Sequence, residues 1–106
     1  MYRQNPAIMR LRAAYWASLP RKLDSIEVHC LAARSTAESL IQAVREVGQV
    51  KGTAGTIGFP DVAEVMSRLE AALIAYSTGE RSWTEIEEAL ATARITVTSP
   101  RSKRRS

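Results

Sequence analysis

From Asn5 to Ala93 the apolar residues return at steps of three and four, a period that leaves little room for anything but helix. The clearest run is Leu40, Ala43, Val47, Val50, Ala54 and Ile57, which shares one side of a single helix. Ile8, Leu11, Tyr15 and Leu19 keep the same rhythm after Asn5-Pro6, a capping residue followed by a ring suited to the first helical position. Leu23, Ile26, Cys30 and Ala33 continue it past Pro20. That continuity predicts one long first helix with a buried stripe, kinked near Pro20, with a clean break there as the alternative.

The punctuation agrees with four such segments. Ser35-Thr36-Ala37-Glu38 has the form of a capping box and opens the second helix. Gly58-Phe59-Pro60-Asp61 closes it and starts a third: Gly as a left-handed cap, Pro in the first turn, Asp61 at the positive end of the dipole. Val62, Val65, Met66, Leu69, Leu73 and Tyr76 form the buried stripe of that third helix, which ends before Gly79. Ser82-Trp83-Thr84-Glu85 is a second capping box, and the last helix turns Ile86, Leu90 and Ala93 inward. Ile95-Thr96-Val97-Thr98 is β-branched, so the end is expected to fray or extend. Short connections make consecutive helices antiparallel neighbours, hence an all-α, up-down four-helix bundle.

A chain of 106 residues with 45% apolar residues builds one small core without a disulfide or a metal. Cys30 has no second cysteine to pair with, and the single histidine, His29, cannot make a metal site alone. Cys30 reads as a small core residue and His29 as a boundary residue of the first helix. No metal, cofactor or catalytic residue is expected: no carboxylate pair or nucleophile–base pair stands out. No apolar run approaches a membrane span and no leader segment is visible, so a cytoplasmic protein without membrane contact is expected. The formal charge of +4 is local. Four of the 15 basic residues, Arg101, Lys103, Arg104 and Arg105, lie in residues 98–106, and the other basic residues balance the 11 acidic ones. The expected division is a bundle over 1–97 and a basic, solvated tail over 98–106. The tail suggests nucleic acid as an alternative partner, but the body lacks the basic helical face such binding uses.

The second helix is unusual in its C-terminal half, where Gly48, Gly52 and Gly55 each cost about 1 kcal/mol relative to alanine. With Val47, Val50, Ala54 and Ile57 inward, positions 45, 48, 52, 55 and 56 point outward or to a flank. The glycines then form an exposed dent beside Lys51. Close helix packing is the competing explanation, plausible for Gly55 and weak for Gly52.

The run Lys51-Gly52-Thr53-Ala54-Gly55-Thr56-Ile57-Gly58-Phe59, followed by Leu69-Glu70 one helix later, resembles the histidine-containing phosphotransfer (HPt) domain family over roughly residues 7–77. The resemblance implies a helical bundle that hands a phosphoryl group between receiver domains. It gives Lys51 an electrostatic role and Gly52 a clearance role, and it places the phosphoacceptor histidine three residues before the lysine. That position is Gly48, and Gln49 beside it is an amide that cannot substitute. The resemblance and this departure together imply an HPt-like signalling protein that binds a response-regulator receiver domain or a histidine-kinase module without accepting phosphate. Its expected partner face is Arg45, Gly48, Gln49, Lys51, Gly52 and Gly55. A relay protein whose histidine is replaced in this chain is the alternative.

Overall fold

The computed structural model describes residues 5–98 as four helices: α1 (Pro6–Ala32), α2 (Ala37–Ile57), α3 (Pro60–Ser77) and α4 (Trp83–Thr98). Residues 1–4 and 99–106 lie outside the description, and the expected basic tail lies there except for Thr98, which is helical. The helices pack in chain order, α2 on both α1 and α3, α3 on α4, and α4 back on α1, which closes an antiparallel bundle. One continuous core runs through all four, built from Leu19, Leu23, Ile26 and Cys30 of α1, Ala43, Val47, Val50 and Ala54 of α2, and their counterparts on α3 and α4. No buried residue of this core is polar or charged.

Asn5 caps α1, its Oδ1 accepting from the Ala7 amide at 2.7 Å, and Pro6 stands at the first position. The helix passes Pro20 without a break. Its N-terminal stripe does not bury, however: Ile8 is 52% and Leu11 55% exposed. The cause is length. α1 has 27 residues and α2 has 21, so at about 1.5 Å per residue α1 is longer by roughly 9 Å. Arg12 already lies level with the far end of α2, its guanidinium donating to the Gly58 carbonyl at 3.2 Å. The turns before it have no partner helix among the described residues.

Two other expectations change in detail. The α2 cap is Thr36 rather than Ser35, its Oγ1 accepting from the Ser39 amide at 3.2 Å, so the expected reciprocal Ser35–Glu38 box gives way to a simple threonine cap. The end of α4 neither frays nor extends. Thr92, Thr96 and Thr98 donate to the carbonyls of Glu88, Thr92 and Arg94, four residues back, and Val97 is 1% exposed. Core packing outweighs β-branched propensity there.

The turn between α2 and α3 follows its residues closely. Gly58 takes φ +104°, which only glycine adopts without strain, and the Phe59 amide reaches back to the Ala54 carbonyl at 2.8 Å. Phe59 is 4% exposed and meets Tyr15 and Trp16 at ring separations of 6.2 and 5.4 Å, with the Arg12 guanidinium 4.8 Å over its ring. The phenylalanine therefore locks the α2–α3 turn onto α1.

Candidate docking face on the second helix

The inward stripe of α2 fixes where its other side chains go. Val47, Ala54 and Ala43 are fully buried and Val50 nearly so, which leaves Arg45, Gln49, Gly52, Gly55 and Thr56 exposed and Gly48 and Lys51 half-buried on the flank facing α3. Of the expected partner-face residues, Arg45, Gln49, Gly52 and Gly55 are thus exposed on one helix, and Gly48 and Lys51 stand half-buried at its α3 edge.

The glycines are not small for the sake of packing. A Cβ built at Gly52 or at Gly55 has no heavy atom within 4 Å beyond its own helix, so neither is pressed by a neighbour. The packing explanation for Gly55 is thereby removed. At Gly48 a Cβ falls 3.4 Å from Glu70 Oε2, an ordinary contact. Any side chain at position 48 would start beside that carboxylate.

Glu70 supplies what sequence reasoning left unassigned. Lys51 Nζ donates to Glu70 Oε1 at 2.6 Å, a charge-assisted bond across the α2–α3 seam between half-buried side chains. Lys51 is therefore a held cation, not a freely solvated one. The available signal was Leu69-Glu70: a carboxylate next to a core leucine stands on the flank of α3, and the same holds for Lys51 next to Val50 on α2.

His29 stands apart from this seam. Its Nδ1 lies 2.8 Å from Glu46 Oε1, and Ser25 Oγ donates to Glu46 Oε2 at 2.9 Å, so the imidazole is engaged between α1 and α2. Cys30 is fully buried, and burial, reinforced by the charges of Glu27 and Glu46, pushes its thiol up to about 12. Such a thiol is not a nucleophile at neutral pH. Burial likewise raises the Tyr15 phenol, which donates to the Val50 carbonyl at 3.2 Å. Among the described residues no group of three or more His, Cys, Asp or Glu could hold a metal ion.

The described residues thus form an all-α bundle whose second helix carries a bare, glycine-lined face beside a held lysine. The Hpt domain model matches residues 10–97, and the chain belongs to that family, whose members act in phosphorelay signalling. Comparison with curated proteins gives no match, and comparison with solved structures gives none. Among the described residues no helix is long and apolar enough to cross a membrane.

Proposed function

We propose that this chain is an HPt-like adaptor or competitor in two-component signalling, which binds a receiver domain or a histidine-kinase module and does not itself carry the phosphoryl group. The observation behind this reading is the seam at Gly48: a lysine and a carboxylate 2.6 Å apart flank a position with no side chain. Phosphoryl relay through a domain of this family uses an imidazole nitrogen as covalent acceptor, and the chain's one histidine is committed to Glu46 on the other side of α2. Gly48 stands where the family motif places the acceptor. With no nucleophile there, the face binds and does not react. The protein acts in the cytoplasm, where such partners present their phosphoacceptor surfaces, and it is not an enzyme.

Phosphoryl transfer tests this directly. Incubation with phosphorylated receiver domains or an autophosphorylating kinase leaves no acid-labile, alkali-stable label on the chain, and label on His29 would overturn the reading. Gly48→His is the converse experiment. The new side chain begins 3.4 Å from Glu70 Oε2 with Lys51 alongside, so it acquires at least slow phosphorylation from a cognate donor. Failure with several donors would show a face diverged beyond its motif.

A further inference from the structure

The near-neutral body conceals a separation of charge. Residues 5–57, which include α1 and α2, hold seven basic and four acidic residues, while residues 60–98 hold three basic and seven acidic ones. The basic half is also the less paired. Arg68, Arg81 and Arg94, the cations of α3, α4 and their connection, all have carboxylate partners, and on α2 Lys51 is held by Glu70. Among the described residues no carboxylate lies within ion-pair distance of Arg21, Lys22 or Arg45, all three exposed.

Two of these cations border an open groove of about 540 Å³ between α1 and α2. The groove is floored by Ile26 and Val50 and edged by Arg21, Lys22, Gln49 and Thr53. Its one carboxylate, Glu46, has both oxygens engaged, one by His29 and one by Ser25. The side chains of Gln49 and Thr53 make no hydrogen bond within the described fold, so their donors are free. From Tyr15 to Ser25 the groove follows α1 for roughly 15 Å, the reach of a short peptide segment and too long for a single small anion. Gln49 belongs both to this groove and to the exposed face of α2, so the two surfaces are continuous.

We propose that the α1–α2 groove is the second half of the docking surface, and that it takes an acidic segment of the partner protein whose carboxylates pair with Arg21 and Lys22. The inference rests on the proposed docking function and names the partner's chemistry: an acidic loop beside the surface that covers Gly48 and Gly52. Arg45, one turn of α2 before Gln49, extends the same field. Exposed cations of this kind raise the rate of encounter and set orientation, and salt weakens them.

The test uses the full chain, ¹⁵N-labelled and titrated with a panel of receiver domains and, separately, with hexaglutamate, hexalysine and a short DNA duplex. Hexaglutamate and any receiver that binds should shift amides in residues 18–25 and 46–53, and hexalysine should not. The double variant Arg21→Glu, Lys22→Glu should lower receiver affinity roughly tenfold or more at low salt and flatten its salt dependence. Arg68→Glu, on the far hairpin, should change it little, and circular dichroism checks that both variants fold. A receiver that binds the double variant as tightly as wild type overturns the groove and leaves the docking function standing. If no receiver binds, the docking function fails. Hexaglutamate then decides the groove alone: shifts there support it, and their absence overturns it. DNA shifting the same amides more strongly than hexaglutamate would assign these cations to nucleic acid and overturn the proposal.

Discussion

Gly52 and Gly55 separate cost from use more cleanly than any other residues of the chain. Each weakens a helix by about 1 kcal/mol relative to alanine, and neither is held small by a neighbour. Gly52→Ala and Gly55→Ala should therefore stabilise the free protein, each by up to about 1 kcal/mol, and raise the melting temperature by several degrees for a domain of this size. Thermal unfolding followed by circular dichroism reads this, and a lower melting temperature would mean that something closes over this face. The same openness predicts the opposite for binding. Gly52→Arg leaves the bundle folded but projects a long side chain into the contact, so calorimetric titration should find partner binding abolished. Equal affinity for wild type and Gly52→Arg would remove this face from the docking surface.

At the scale of elements, Arg94 adds a polar tie between α4 and α1 beside the core that the two helices share. Arg94 donates to Glu27 at 2.8 Å and to the Pro20 carbonyl at 3.4 Å, and pairs with Asp24 at 2.9 Å. Burial works against its charge, but the hydrogen bonds to Asp24 and Glu27 outweigh it and raise its pKa. All three side chains are partly solvated, so Arg94→Ala should cost only roughly 1 kcal/mol. Its mark should be local: faster amide exchange in α4 than in α2 or α3, which share the widest contact. Uniform acceleration across all helices would mean that α4 does not open separately. The limits of sequence reading lie at this scale too. The α2 and α3 stripes were legible because both helices have partners along their whole length, so period alone fixed the buried side. Ile8 and Leu11 carry the same period, but whether they bury depends on the length of a neighbouring helix, which no local pattern encodes. The exposure of Gly52 and Gly55 followed from the α2 stripe. The Lys51–Glu70 bond and the α1–α2 groove did not, since both depend on the register of one helix against another.

The four helices share a single core, so the molecule should gain or lose structure as one unit. Val47 tests this most directly. It is fully buried, belongs to that common cluster, and stands next to Gly48 of the proposed docking face. An ionised carboxylate in its place would have no polar partner in a core that contains no buried polar residue. Such a burial costs several kcal/mol, comparable with the roughly 5–15 kcal/mol that holds a domain of this kind together. Val47→Asp should therefore unfold the chain or lower its melting temperature drastically, with signals from all helices lost in one transition. Arg45→Asp places the same side chain two residues earlier on the exposed side of α2, where an effect within about 0.5 kcal/mol is expected. The pair distinguishes face from position along the helix: chemistry and segment are held constant while burial changes. Circular dichroism through a urea titration reads both variants. A soluble Val47→Asp protein that melts cooperatively at the wild-type temperature would mean that the inward side of α2 is misassigned, and the exposed row of Arg45, Gly52 and Gly55 with it.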